Sequence, residues 1–143
     1  MKAFFDTSVL NAAFDAHHIN HAPSFEVLAR FTGDSGCCGA HSLAEIYATL
    51  TGRTGRGRVS RDEAILFLEN LTERLTIVSL TDREYLAAVR ASAEVGIIGG
   101  AIYDAILAHC ALKAGAQIIY TWNVRDFTRL GSAIARRVRT PSD

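Results

Sequence analysis

Short apolar runs alternate with longer amphipathic stretches along this chain, which is the pattern of an α/β domain. Residues 2–6, GCCGA, LTIVSL and QIIY are predicted to be strands, and RRVRT near the C-terminus an edge strand. Between these runs, apolar residues recur at helical spacing. Because helices connect successive strands, right-handed crossovers predict a parallel sheet of four to five strands with helices on both faces.

Capping residues mark where the predicted helices begin. Thr7 or Ser8 can cap a short helix that runs to about Phe14. Three further stretches begin with Ser or Thr followed three residues later by Glu, which is the signature of a capping box. The pairs are Ser42 with Glu45, Ser60 with Glu63, and Thr81 with Glu84.

The length and composition predict one globular domain over residues 1–143. The first apolar run is too short for a signal peptide, and no run approaches the ~20 residues of a membrane span, so we expect a cytoplasmic protein without membrane contact. Cys37, Cys38 and Cys110 have neither the pairing of a disulfide framework nor the spacing of a zinc site. We interpret them as small buried hydrophobic residues.

The neutral net charge hides two basic segments. The chain has 15 basic and 15 acidic residues, yet GRTGRGR (52–58) and ARRVR (135–139) concentrate positive charge. Nucleic acids can bind to such a patch on a neutral protein, whereas a broad nonspecific nucleic-acid coat is not expected.

Four acidic residues lie in apolar surroundings, and their positions predict a functional site. In parallel sheets, ligands bind beyond the carboxyl ends of the strands, where one topology can gather residues from distant parts of the chain. A buried carboxylate is costly, and several together repel one another unless oxygen ligands hold a hard cation. The four are Asp6, Glu45, Asp104 and Asp126.

Each of these carboxylates also has a structural interpretation. Asp6 can favour the N-terminus of the helix that follows it, Glu45 can complete the capping box, and Asp126 can be a turn residue. Asp104 is the hardest to explain this way, because it is predicted inside an apolar helix with no basic residue three or four positions away.

The chain resembles the PIN-domain nucleases in the order and spacing of four segments. They are FFDTSVL, SLAEIYATL, AIYDAILAHCA and IIYTWNVRDF. The resemblance covers nearly the whole chain and is greatest to the VapC-type ribonuclease toxins of type II toxin–antitoxin modules. It implies a PIN fold and cleavage of RNA that depends on Mg²⁺ or Mn²⁺.

The same resemblance implies roles for individual residues. Asp6 and Asp104 correspond to the principal metal ligands, and Glu45 and Asp126 to further acidic residues of the catalytic site. Asn123 occupies a position where many members have Asp, which removes one charge. The hydroxyls of Thr7 or Ser8, and of Thr121, correspond to groups that line the pocket.

RNA affinity must come from outside an acidic pocket, because the pocket itself repels phosphate. Arginines of the glycine-rich loop and arginines beside the pocket are expected to bind the RNA backbone. Trp122 can stack on an unpaired base or pack against the domain. The arginines are Arg53, Arg56, Arg58, Arg125 and Arg129.

The resemblance also implies partners. A VapB-like antitoxin would cover the acidic pocket, and a homodimer is expected, for which the apolar faces of residues 61–75 and 81–95 are candidates unless they belong to the core. The alternative function is a catalytically silent PIN module that binds RNA or protein. A haloacid-dehalogenase-type domain also places Asp after its first strand but requires Asp-x-Asp, whereas position 8 is Ser.

Overall fold

A computed structural model describes residues 2–143, except for the side chain of Arg56. Its strands form one five-stranded parallel sheet in the described part of the chain, with the first strand in the centre. The strands are β1 (Ala3–Phe5), β2 (Gly36–Gly39), β3 (Thr76–Val78), β4 (Ile118–Tyr120) and β5 (Val138–Arg139). Their order is β3-β2-β1-β4-β5, which confirms the predicted parallel sheet and places RRVRT at its edge.

The helices fill the connections between the strands. They are α1 (Thr7–Phe14), α2 (His21–Ala29), α3 (Ala40–Thr51), α4 (Arg61–Arg74), α5 (Asp82–Glu94), α6 (Ile102–Lys113), α7 (Val124–Thr128) and α8 (Ser132–Ala135). Among the described residues, no helix has the length and apolar character needed to cross a bilayer.

Two of the predicted helix starts are observed. The Thr81 side chain accepts a hydrogen bond from Glu84 N at 3.2 Å, and Glu84 Oε1 accepts one from Thr81 N at 2.8 Å, so α5 begins with a complete capping box. Ser60 caps α4 by accepting from Glu63 N at 3.1 Å.

Two other predicted caps are wrong. Asp6 caps α1 in place of Thr7 or Ser8. Helix α3 begins at Ala40, directly after β2, so Ser42 is buried within its first turn and is not its cap. The capping-box interpretation of Glu45 therefore does not hold.

Two acidic residues lie closer to a helix N-terminus than predicted. Asp104 is in the first turn of α6, not in the middle of a helix. A short 3₁₀ turn at Gly99–Ala101 sets this start. Asp126 lies in the first turn of α7, where a loop was expected. Both carboxylates thus lie near helix N-termini, where a negative charge is favoured.

The sheet separates two hydrophobic cores, which confirms the predicted helices on both faces. Ala3 and Phe5 of β1 face the core formed with α1 to α4, whereas Phe4 faces the core formed with α6 to α8. All three residues are completely buried, as expected for a central parallel strand. The cysteines are buried and unpaired with one another, as predicted. The central position of β1 fixes Asp6 at the carboxyl edge of the sheet.

Close packing at the start of β2 gives a testable stability effect. A β carbon at Gly36 would lie 2.8 Å from Leu75 Cδ2 and 2.9 Å from Phe31 Cβ. We expect Gly36→Ala to lower the free energy of unfolding by about 1–3 kcal/mol, measured by urea denaturation. Gly100→Ala is the matched control, because nothing lies within 4 Å of its β carbon. Equal urea midpoints for the two variants would contradict the packing argument.

Candidate active site

Asp6 lies where β1 passes into α1 and is only 1% exposed. Its Oδ2 atom accepts hydrogen bonds from Ser8 Oγ at 2.7 Å, Thr121 Oγ1 at 2.8 Å and Ser8 N at 3.4 Å. Burial raises the pKa of the Asp6 carboxyl, and these hydrogen bonds lower it less than burial raises it. Capping accounts for one of the three bonds, so the helix N-terminus alone does not explain this buried carboxylate.

The hydroxyls around Asp6 are themselves held by the turn after β4. Ser8 Oγ accepts a hydrogen bond from Trp122 N at 3.0 Å, and Thr121 Oγ1 accepts one from Asn123 N at 2.9 Å. Each hydroxyl therefore accepts a hydrogen bond from a backbone N–H and donates a hydrogen bond to Asp6. This arrangement orients the carboxylate from two distant segments of the chain.

Glu45 lies on α3 and faces the start of α1. Its Oε1 atom accepts a hydrogen bond from Thr7 Oγ1 at 3.0 Å, and Thr7 Oγ1 lies 2.8 Å from Ser42 Oγ. Burial raises the pKa of Glu45, and the negative charge of Asp6 raises it further. The hydrogen bond from Thr7 lowers this pKa, as does His41, whose Nε2 lies 3.9 Å from Glu45 Oε1. The two helices thus bring a second carboxylate within the electrostatic influence of Asp6.

Asp104 shows that the four predicted carboxylates share one region. Its pKa is raised to about 7, first by burial and then by the charges of Asp6, Asp126 and Glu45. The nearby guanidinium of Arg129 lowers the pKa of Asp104, but by less. The region therefore carries an excess of negative charge that its own basic residues do not balance.

The chemistry of this donor set fits a hard divalent cation. The groups are carboxylate and hydroxyl oxygens with surplus negative charge, which Mg²⁺ and Mn²⁺ prefer. Among the described residues, no three acidic, histidine or cysteine side chains come close enough to form a ready-made metal cluster. The carboxylates thus act on one another electrostatically without forming a contact cluster.

The segment after β4 supplies both polar and basic groups. Asn123 is exposed at the N-terminus of α7, and its side chain forms no capping bond. Asp126 is half-buried and acts on Asp104, as does the exposed Arg129. Arg125 is exposed in the first turn of α7.

The arginines of the glycine-rich loop lie elsewhere. Arg53 Nη1 donates to Asp15 Oδ2 at 3.1 Å, beyond the C-terminal ends of α1 and α3. Arg58 is exposed and lines the same groove as Arg53. The predicted role of Arg56 lies outside the described residues. Arg53 and Arg58 are not among the main causes of the raised pKa values of Asp6, Glu45 and Asp104.

Sequence reasoning missed several residues around the carboxylates. Ser42 contacts Thr7, but its Ser-x-x-Glu spacing indicated a cap. His41 lies one turn before Glu45 and stacks on Tyr103, with ring centroids 5.0 Å apart. Its four-residue spacing from Glu45 was a usable signal.

Trp122 packs against the domain, which was the structural alternative for this residue. Its Nε1 donates to the buried Ser24 Oγ at 2.9 Å, and its ring contacts the core beneath β1. The indole is therefore held in the protein and is not presented as a platform for a base.

Comparison with known proteins identifies the family. The PIN domain profile matches residues 3–132. Ribonuclease VapC40 of Mycobacterium tuberculosis is 30% identical over 114 residues, which cover 80% of this chain and 81% of VapC40.

Solved structures share the fold at lower identity. The sarcin–ricin loop cleaving toxin VapC20 of M. tuberculosis has a TM-score of 0.71 at 18% identity, covering 87% of this chain and 92% of VapC20. A toxin–antitoxin complex from Klebsiella pneumoniae has a TM-score of 0.69 at 17% identity, covering 98% of each chain. Taken with the profile and the relative that match in sequence, these structures lead to one conclusion: this chain belongs to the PIN-domain family, in its VapC group.

Proposed function

We propose that this protein is a metal-dependent endoribonuclease and the toxin of a toxin–antitoxin module. The observation that carries the proposal is the raised pKa of Asp104, to which three other carboxylates contribute. Such mutual repulsion in a partly buried site is characteristic of groups that act together on a ligand. The names of VapC40 and VapC20 support the reaction class, because VapC40 is a ribonuclease and VapC20 is a toxin that cleaves the sarcin–ricin loop.

In this proposal Asp6 and Asp104 would hold a Mg²⁺ or Mn²⁺ ion, which would neutralise charge on the cleaved phosphate and supply an activated nucleophile. Glu45 and Asp126 would orient water by accepting its hydrogen bonds. Ser8 and Thr121 keep the Asp6 carboxylate in one orientation through the hydrogen bonds already described.

Arginines near the carboxylates contribute RNA affinity. Arg129, which acts on Asp104, and the exposed Arg125 offer donors to the RNA backbone beside the cleaved bond. Asn123 supplies an uncharged donor and acceptor where the family resemblance implies Asp in many members, and it therefore repels phosphate less than Asp would.

The partner proposed for this chain is a VapB-like antitoxin, because the Klebsiella structure with the same fold is a toxin–antitoxin complex. A guanidinium from such a partner would balance the surplus negative charge. We also propose action in the cytoplasm and a homodimer. Exposed apolar residues on α4 and α5 support the dimer; they are Ile65, Leu66, Tyr85, Leu86 and Val89.

An RNA-cleavage assay tests the proposed function. We expect the purified protein to cleave RNA with Mg²⁺ or Mn²⁺, to lose cleavage in EDTA, and to regain it when Mn²⁺ is restored in excess. Equal cleavage in EDTA would reject the metal-dependent mechanism. Absence of cleavage across a broad RNA panel, with RNA binding retained, would favour the catalytically silent PIN module.

A further inference from the structure

Helices α1 and α3 run side by side in a constant register. Near their N-terminal ends, Thr7 Oγ1 donates to Glu45 Oε1 at 3.0 Å, and just beyond their C-terminal ends Arg53 Nη1 donates to Asp15 Oδ2 at 3.1 Å. Both contacts join residues 38 positions apart, so the two helices are parallel along this length. The two contacts are eight positions apart along each segment, which corresponds to about 12 Å at the rise of an α-helix.

A groove of about 540 Å³ lies at the far end of this helix pair. Arg53, Arg58 and His17 supply its basic side chains, and Asp15 and Glu63 its acidic ones. Arg53 contacts Asp15 through a single guanidinium nitrogen, which leaves other donors of the guanidinium available. Arg58 and His17 are exposed, so an anion can reach all three basic residues.

The carboxylate of Asp15 is the anion that pairs with Arg53 in this structure. Its Oδ1 atom accepts a hydrogen bond from His17 N at 3.0 Å, while Oδ2 pairs with Arg53. The hydrogen bond from His17 N and the Arg53 charge lower the pKa of Asp15, so the carboxylate is ionised at neutral pH. An incoming phosphate must compete with this charge for Arg53.

We propose that this groove is a second phosphate-binding subsite for the RNA strand, with Arg53 and Arg58 as its phosphate ligands and Asp15 as the competing anion. The inference rests on the proposed function, because the carboxylate region defines where the cleaved phosphate lies. Successive phosphates of one strand are closer together than about 12 Å, so the subsite takes a phosphate beyond the one next to the cleaved bond. The substrate that we infer is an RNA strand that extends beyond the nucleotides at the cleaved bond.

Binding measured without cleavage tests the subsite. The probe is a fluorescein-labelled oligouridylate dodecamer, and anisotropy is recorded in EDTA over a series of KCl concentrations. We expect Arg53→Ala to weaken binding about threefold and to reduce the slope of log Kd against log salt by about 0.7, because one phosphate contact is lost. Arg90→Ala is the matched control, since this exposed arginine lies on α5, which packs against α6 and not against the helix pair α1 and α3.

Asp15→Asn is expected to act in the opposite direction. Asparagine can still accept the hydrogen bond from His17 N, but it no longer competes with phosphate, so dodecamer binding should tighten about twofold to threefold. Asp34→Asn is the control for charge alone, because Asp34 is exposed in the turn before β2. Thermal denaturation confirms that the compared variants are folded.

The two proposals fail in different ways. Unchanged dodecamer affinity in Arg53→Ala, or weaker binding in Asp15→Asn, would overturn the subsite even if the wild type cleaves RNA. If Arg53→Ala weakens binding of a protein partner and leaves RNA binding unchanged, the groove is a protein interface and the subsite is also overturned. Loss of the nuclease proposal would instead appear as normal RNA binding without cleavage.

Discussion

Replacing Asp104 by asparagine is expected to reduce RNA cleavage by at least about a thousandfold, because the proposed metal ion, which would lower the activation barrier by several kcal/mol, would lose a ligand. The substitution should not impair folding, since it removes a charge whose ionisation in the folded protein is opposed by burial and by three neighbouring carboxylates. Initial rates on a defined RNA at saturating Mn²⁺ measure the effect.

Asp34→Asn is the matched control for Asp104→Asn, because it makes the same chemical change at an exposed residue outside the carboxylate region. It should retain wild-type cleavage. Asp6→Asn is expected to behave like Asp104→Asn, provided its melting temperature shows that the cap of α1 is intact. A variant of Asp104 that is folded and cleaves RNA within about tenfold of the wild-type rate would remove this residue from the catalytic site.

The second large effect is a dependence of stability on pH in the metal-free protein. The folded-state pKa of Asp104 is about 7, above its ordinary value of 3.8, so folding favours the protonated form. The resulting stabilisation is complete below the unfolded pKa and is lost as the pH rises through about 7. Because Asp104 is only half-buried, solvent screening reduces the effect, and we expect the free energy of unfolding to fall by about 1–2 kcal/mol.

Urea denaturation in EDTA from about pH 5 to about pH 8 measures this loss. Burial lowers the pKa of His109, which changes stability in the opposite direction over the same range. The informative quantity is therefore the difference between the wild type and Asp104→Asn, which should grow in favour of the variant as the pH rises. A constant difference would show that Asp104 titrates at its ordinary pKa.

The elements of this fold follow largely from local sequence. Each strand is a short apolar run, and the box formed by Thr81 and Glu84 depends only on residues three positions apart. The carboxylates were visible as candidates because their neighbours in sequence are apolar. Such signals lie within one turn of helix or one strand, which is why they can be found without coordinates.

The errors occur where one element directly follows another. Helix α3 starts at Ala40 with no residue between it and β2, so the polar Ser42 seemed the natural cap. The 3₁₀ turn at Gly99–Ala101 similarly determines that Asp104 falls in a first turn. Local propensity does not distinguish these starts, because packing on the sheet selects them.

The properties of the site that could not be predicted from the sequence depend on contacts between distant segments of the chain. Arg53 was predicted to bind RNA as part of a basic loop, but nothing in that loop indicated its ion pair with Asp15, 38 positions earlier. The raised pKa of Asp104 depends on charges from three other segments. Neither property has a local sequence signature.

The hydrogen bond between Thr121 and Asp6 spans 115 positions of the chain, and β1 takes its place between strands from both halves of the sequence. During synthesis, which proceeds at about 5–20 residues per second, the growing polypeptide carries Asp6 long before the ribosome has added Thr121. A nascent or prematurely terminated chain therefore lacks the hydrogen bond that orients Asp6. In the proposed function, RNA cleavage becomes possible only when translation is nearly finished.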